Sequence, residues 1–321
     1  MTCPAMIEEA KHVIHVERLT KRYGDLLAVN DISFTVRKGE VFALLGPNGA
    51  GKTTTVEIIE TMRTPTSGTI SLLGMDVTTQ KRNIVRRIGV LPQGFTSFDR
   101  ITVRETLQYY SRLFNCRNTD IDGLIELANL KDRSKEQFTN LSGGLKQRLG
   151  IAIALVNNPE VVFLDEPTTG LDPRARREVW DVLLGLKKKG KTVFLTTHYM
   201  EEAELLADSV AILSKGSIVA MGSPMALIES NAHHLVLTLQ SVHDTVFGIV
   251  QKLGFEPAHA DHKNIRVRVE HQDDVRTILN ALKDAGASFL SLDVRKPNLE
   301  EVFLKLTGVP LREDPAEEVA P

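Results

Sequence analysis

The chain has 321 residues, 42% of them hydrophobic and 25% charged, with a formal net charge of -2 at pH 7. At ~100–200 residues per domain this length predicts two domains with a sizeable core, and so even a charge balance excludes bulk attraction to nucleic acid or anionic lipid as the basis of function. Only Cys3 and Cys116 occur, without metal-ligand spacing, which argues against a disulfide framework or a zinc site and fits a reducing cytosol.

The N-terminal residues lack an apolar core of signal-peptide length, and no apolar stretch approaches the ~18–20 residues that cross a bilayer. Work at a membrane would therefore need a second chain to span it. Val13–Arg18, Ile32–Arg37 and Glu40–Leu45 are short β-branched or alternating runs between turn residues, and they predict strands entering a sheet. The KRYGD stretch after the first run predicts a loop holding Tyr23 beside Gly24. A lone loop tyrosine is usually an amphipathic surface residue, although its ring can stack on a base.

Gly46 to Thr53 reads GPNGAGKT and meets the template G-x-x-x-x-G-K-[ST] at every fixed position. A coincidental match is expected in roughly one chain of this size in a hundred. Here the loop also has the required setting, between a strand and a helix over Thr54–Met62. Gly46, Gly49 and Gly51 let backbone N–H groups close around phosphate oxygens, the helix N-terminus adds unpaired donors, and Lys52 adds a point charge. Thr53 supplies a hydroxyl for a magnesium ion.

Gly68–Leu73 and Val85–Leu91 predict further strands, the second running into PQG, so Gln93 stands where a strand meets a loop. Apolar residues at helical spacing over Ile101–Phe114 and Ile121–Leu130 predict a helical insertion, about 95–157. Within it Ser142, Gly143 and Gly144 precede an amphipathic helix. Such a turn can be a plain N-cap with Ser142 as the capping residue, or an anion site.

Val161–Leu164 is a continuous apolar run, as a strand buried on both faces requires, and it ends in Asp165 and Glu166. Two adjacent carboxylates there are costly unless something positive faces them. The phosphate loop can supply that partner, with magnesium held through Asp165 and a water polarised by Glu166. A loop with Asp172 leads to a helix carrying Trp180, Leu183 and Leu184 and ended by Gly190. Thr192–Thr196 predicts another buried strand with His198 at its carboxyl end, the end where open α/β sheets gather ligands. Val210–Leu213 then closes the sheet, and SKGSIVAMGSP predicts a hairpin-like exit.

From about Ser223 strands over Leu235–Gln240, Ile265–Glu270 and Ser288–Val294 alternate with helices near Val242–Leu253, Asp273–Ala285 and Leu299–Leu306. They predict a small α+β domain, 223–310, followed by a Pro- and Glu-rich tail, 311–321, of disordered composition. The domain holds His233, His234, His243, His259, His262 and His271, but without compact metal-ligand spacing.

Six motifs, GPNGAGKT, Gln93, LSGGLKQR, VVFLDEP, GLDP and TTH, stand in the order and spacing of an ABC-type ATPase, and residues 13–222 resemble that family. The resemblance implies an α/β fold: a mixed sheet with helices and a helical insertion, here joined to the C-terminal α+β domain. It implies ATP and Mg2+ as the bound species. Tyr23 would stack on adenine, the loop Gly46, Pro47, Asn48, Gly49, Ala50, Gly51, Lys52 and Thr53 with Thr54 would bind phosphates, and Thr53, Gln93 and Asp165 would serve the metal. Glu166 would be the catalytic base, Gln93 a switch touching metal and water, His198 a γ-phosphate sensor and Asp172 a subunit contact. Ser142, Gly143 and Gly144 would form the signature loop that completes the phosphate site of a second copy, head to tail.

The C-terminal domain ending in NLEEVFLKLTG further resembles the ATPases of drug- and antibiotic-export systems of the daunorubicin-resistance type. The expected function is ATP hydrolysis by a homodimer on the cytoplasmic face of a membrane, driving a separate permease that docks on the helical insertion. A soluble ATPase of the same type acting in DNA repair or translation is the alternative, but such proteins usually carry twin cassettes or coiled-coil insertions, and no sustained heptads occur here. A GTPase fits less well, since no Asn-Lys-x-Asp element is present. Nucleic acid is not an expected partner.

Overall fold

The computed structural model describes residues 12–116, 118–231, 234–240, 244–259 and 264–308. Cys3, His233, His243, His262 and the tail 311–321 lie outside the described residues. The chain divides into two compact units at Pro224, the second covering Met225–Pro310.

The first unit opens with β1 (His12–Tyr23) and β2 (Leu26–Arg37), which pair antiparallel with Val16 opposite Phe34 and Tyr23 opposite Leu26. They do not share a sheet with β3 (Val41–Leu45). After α1 (Lys52–Ile59) the chain returns as β4 (Ser67–Leu72) and β5 (Met75–Asp76), completing an antiparallel sheet in the order β2-β1-β4-β5. Tyr23 is thus the last residue of a strand rather than part of a loop; the turn is reduced to Gly24 and Asp25 because pairing continues to the end of β1.

The predicted strand from Val85 is shorter than its apolar run. Lys81–Val85 forms α2, and the strand β6 begins at Ile88. The insertion follows as α3 (Val103–Leu113), α4 (Ile121–Leu127) and α5 (Gly143–Ala154) around its own core of Val103, Leu107, Ile125, Leu149 and Ile153. Thr102 starts α3 through a reciprocal capping box with Glu105.

β7 (Val161–Asp165), α6 (Pro173–Lys188), β8 (Thr192–Thr197), α7 (Met200–Leu206), β9 (Ser209–Ser214) and β10 (Ser217–Gly222) complete the unit. The second sheet has the order β10-β9-β3-β8-β7-β6, parallel except for β10. β10, not β9, is therefore its edge. Every residue of β3, β7 and β8 is buried, as continuous apolar strands covered on both faces demand. Phe34 of the antiparallel sheet stacks on Phe42 at 5.2 Å between ring centroids, and Phe42 meets Phe194 at 5.1 Å, so aromatic rings join the two sheets into one core.

The second unit starts with α8 (Pro224–Asn231) and arranges β11 (Leu235–Gln240), α9 (Asp244–Lys252), β12 (Pro257–His259), β13 (Ile265–Val269), α10 (Gln272–Asp284), β14 (Ser291–Arg295) and α11 (Leu299–Thr307) as an antiparallel sheet of order β12-β13-β11-β14 with helices. Alternation along β13, with Ile265, Val267 and Val269 buried and Arg266 and Arg268 exposed, places its core on one face. β12, α7 and α8 are elements that the apolar pattern of the sequence did not announce. Among the described residues no group of three or more His, Cys, Asp or Glu side chains is placed to hold a metal ion.

Candidate active site

Four adjacent parallel strands deliver the predicted residues to one end of the sheet. β3 runs into the Gly46–Gly51 loop, β7 into Asp165 and Glu166, β8 into His198, and β6 into Gln93. Brought together this way, residues up to 152 positions apart in sequence line one edge because all four strands point the same way.

The loop is braced by neighbours that the linear motif does not mention. The Gly46 N–H donates to the Thr197 carbonyl at 3.3 Å, and the Gly216 N–H donates to the Ala50 carbonyl at 3.0 Å. A Cβ on Gly46 would lie 2.4 Å from the Leu213 oxygen, and Gly51, at φ +102°, would bring one 2.4 Å from the Ala28 oxygen. Both glycines are required by close backbone approach, and Gly51 by its torsion as well. Tyr23, Leu26, Leu27, Ala28, Lys215 and Gly216 wall a cleft of about 670 Å3 whose floor includes Asn48, Gly49, Lys52, Thr53, Thr54, Gln93 and Glu166. The Lys21 ammonium sits 5.0 Å from the centroid of the Tyr23 ring.

Lys52 is buried, and its Nζ donates to the carbonyls of Gly46 at 2.9 Å and Pro47 at 3.3 Å. It also lies 3.1 Å from Glu166 Oε1. Glu166 has a left-handed backbone, φ +48°, held by its N–H donating to the Thr196 hydroxyl at 3.0 Å. Its Oε2 accepts from Gln93 Nε2 at 3.3 Å and from the Thr169 hydroxyl at 3.1 Å. Burial pushes this carboxyl up, yet the His198 ring and the Lys52 charge outweigh it and hold Glu166 down at about 2.

His198 Nδ1 stands 3.3 Å from Glu166 Oε2, within ion-pair reach but without hydrogen-bond alignment, and Nε2 is buried with no hydrogen-bond partner. Asp165 is pushed up by burial and by the Glu166 charge, while hydrogen bonds from the Thr196 and Thr53 hydroxyls pull the other way. The pairing of Asp165 with Thr53 suits a divalent cation, which would neutralise the buried carboxylate, and the orphaned imidazole nitrogen suits an anionic oxygen beside Glu166.

Ser142, Gly143 and Gly144 do not line this cleft. The Ser142 hydroxyl accepts the Leu145 N–H at 3.4 Å as the N-cap of α5, and a Cβ on Gly144 would lie 2.7 Å from that of Ala175 on α6. Asp172 caps α6, accepting from the N–H groups of Arg174 at 2.9 Å and Ala175 at 3.0 Å. No local pattern marks Leu26, Leu27, Ala28, Lys215 and Gly216; strand order brings the β9–β10 turn to the loop, and packing of the antiparallel sheet, where the Asn30 N–H donates to the Gly216 carbonyl at 2.8 Å, brings the start of β2.

A family model described as ABC transporter matches residues 29–169. The Nod factor export ATP-binding protein I of Rhizobium meliloti strain 1021 is 40% identical over 305 residues, covering 94% of this chain and 89% of that protein. The protein of the same name from Burkholderia lata is 40% identical over 300 residues, with 92% and 97% covered. Among solved structures, an ATP-binding subunit of an ABC transporter is similar at a TM-score of 0.59 and 28% identity, spanning 68% of this chain and 92% of that one. A dimeric ATP-binding cassette in a post-hydrolysis state with ADP and phosphate is similar at 0.58 and 25%, spanning 65% and 98%.

Proposed function

The chain belongs to the ATP-binding proteins of ABC transporters, and on that premise we propose that two copies, head to tail, hydrolyse ATP to drive export of a small molecule through a separate membrane permease. That it is an ATPase of this family follows from the relationship itself. Export is supported by the relatives, which are named for export of Nod factor, and this favours transport over a role in DNA repair or translation. The C-terminal unit is read as the extension found in drug- and antibiotic-export ATPases of the daunorubicin-resistance type. The cargo would be a drug, a lipid or another small molecule chosen by the permease.

The observation that carries the reading is the setting of Glu166, an ionised carboxylate between Lys52, Gln93 and His198 at the end of β7. In the proposed reaction Glu166 accepts a proton from the attacking water, which its low pKa permits only as the water is polarised at phosphorus. Lys52 and the N–H groups of Gly51 to Thr54, at the start of α1, bind the phosphates and Tyr23 stacks on adenine. His198 Nε2 addresses the γ-phosphate and Gln93 positions the water. Mg2+, held through Thr53, Asp165 and Gln93, would neutralise charge on the phosphate oxygens. Ser142, Gly143 and Gly144 of the second copy close the site.

A permease partner is supported by the aromatic surface of the insertion. Phe98 and Tyr109 pack edge to face at 5.0 Å while remaining 50% and 43% exposed, beside exposed Leu113 and Phe114. A contiguous apolar patch of this kind marks a docking surface. Among the described residues no helix is long and apolar enough to cross a membrane, so peripheral attachment at the cytoplasmic face through that patch is the proposed location. Copurification of the tagged chain from membranes tests the whole reading: a permease should accompany it and be lost from Phe98→Ser/Tyr109→Ser. Phosphate release that stays proportional to protein concentration at every dilution, with no membrane subunit retained, would refute it.

A further inference from the structure

Glu202, on α7, is fully buried at 0% exposure and takes no part in the site as described above. Its Oε1 accepts two hydrogen bonds, from the Thr168 hydroxyl at 2.8 Å and from Trp180 Nε1 at 3.0 Å. Thr168 lies two residues beyond Glu166, and Trp180 is on α6, so one carboxyl oxygen joins three separate segments. A buried carboxyl is an expensive way to hold two helices together, since an apolar side chain of like volume fills the same space without desolvation. Burial pushes its pKa up, against the Thr197, Thr168 and Trp180 side chains and the Arg176 charge, which pull it down. The expense points to orientation rather than stability.

What is oriented is next to it in the chain. α7 begins at Met200, directly after His198 and Tyr199. The His198 and Tyr199 rings lie 4.2 Å apart, and the guanidinium of Arg176, from α6, covers the other ring at 4.1 Å from the Tyr199 centroid. The Tyr199 N–H donates to the Thr197 hydroxyl at 2.9 Å, which fixes the turn between β8 and α7. Contacts from α6 therefore reach the His198 turn by two routes, Trp180 to Glu202 and Arg176 to Tyr199.

We propose that Glu202 is a positioning residue for hydrolysis: by tying α7 to Trp180 and Thr168 it holds the His198 ring against Glu166. This rests on the assignment of His198 to the γ-phosphate. Hydrogen bonds with two donors set the rotation of α7 about its axis, which greasy packing alone leaves free, and that rotation carries the imidazole. Errors of about 1 Å in such a group cost up to about a hundredfold in rate.

The test uses the purified full-length chain and steady-state ATP hydrolysis. Glu202→Leu, which keeps volume and removes the acceptor, should lower kcat about tenfold with KM for ATP within about twofold. Glu202→Gln retains an acceptor for both donors and should stay within about twofold of the parent. In a His198→Ala background Glu202→Leu should cost nothing further, because the group it positions is gone. Full turnover in Glu202→Leu, or a cost that adds completely to that of His198→Ala, overturns the proposal while leaving His198 in its role. Wild-type turnover of His198→Ala instead removes the premise. Should Glu202→Leu not fold, Trp180→Phe and Thr168→Val each delete one donor, and each should reduce kcat with little change in KM; unchanged kcat in both would overturn the proposal equally.

Discussion

Lys52 Nζ and Glu166 Oε1 face each other at 3.1 Å, with side-chain exposures of 4% and 7%. Neither charge is screened by water, so the Lys52 charge helps hold Glu166 ionised and removing either partner strands the other. The pair also sets the loop after β3 against the end of β7, so the proposed phosphate-binding and water-activating groups share one contact.

Glu166→Gln retains the shape of that contact and removes its charge. Turnover should fall by about a hundredfold or more, the usual contribution of a general base. Affinity for a fluorescent ATP analogue should hold or rise, because Lys52 no longer shares its charge with a carboxylate. ATP should also shift the variant to a dimer on size-exclusion chromatography. Wild-type turnover would remove Glu166 from its proposed role.

Lys52→Ala strips the charge proposed to meet the phosphates, and ATP affinity should drop about tenfold or more. It also strands Glu166. With a folded value of about 2 against an ordinary 4.5, Glu166 contributes stability that is present above about pH 4.5 and is lost as pH falls toward 2. That contribution is on the order of 3 kcal/mol. Urea unfolding of Lys52→Ala at pH 7 should therefore show a deficit that shrinks at pH 3; a pH-independent deficit would mean that the pair is not what was lost.

Glu60 presents the opposite sign. Burial, followed by repulsion from Asp165 and Glu57, raises its carboxyl to about 8. The fold accommodates the neutral form, so the stabilising effect is complete below about pH 4.5 and is lost as pH rises through about 8. Glu60→Gln should match the parent near pH 4.5 and exceed it at pH 8 by on the order of a few kcal/mol. Thermal unfolding at the two pH values decides it, and an equal shift at both would argue that Glu60 does not titrate in this range.

Gly144→Ala would place a methyl group 2.7 Å from the Ala175 Cβ and force α5 away from α6. Turnover should fall about tenfold while nucleotide affinity of the single chain is kept, since the Lys52 cleft is elsewhere. Phosphate release measured beside analogue binding separates the two. Unchanged turnover would show that the Ser142 to Gly144 turn tolerates displacement and is not closing a site.

Much of this was legible without coordinates, for local reasons. The apolar runs Val161–Leu164 and Thr192–Thr196 suit strands buried on both faces, and a glycine-rich loop ending in Lys-Thr between a strand and a helix dictates its own geometry. Element ends were less legible. Val85 is apolar yet closes a helix, and Tyr23 sits in a strand despite its neighbouring glycine because it pairs with Leu26 across the turn.

Local pattern in the chain specifies which chemical groups exist and which short segments present them: the Gly46 to Thr53 loop, the carboxylates Asp165 and Glu166, and His198 at a strand end. Packing of the folded chain is what brings Lys52 to Glu166, lines the cleft with Lys215 and Gly216, and carries Glu202 to Trp180 and Thr168. Local periodicity encodes torsions and faces, which depend on neighbours in the chain. Strand order and helix packing depend on the whole core, and they place distant side chains within a few ångströms of one another.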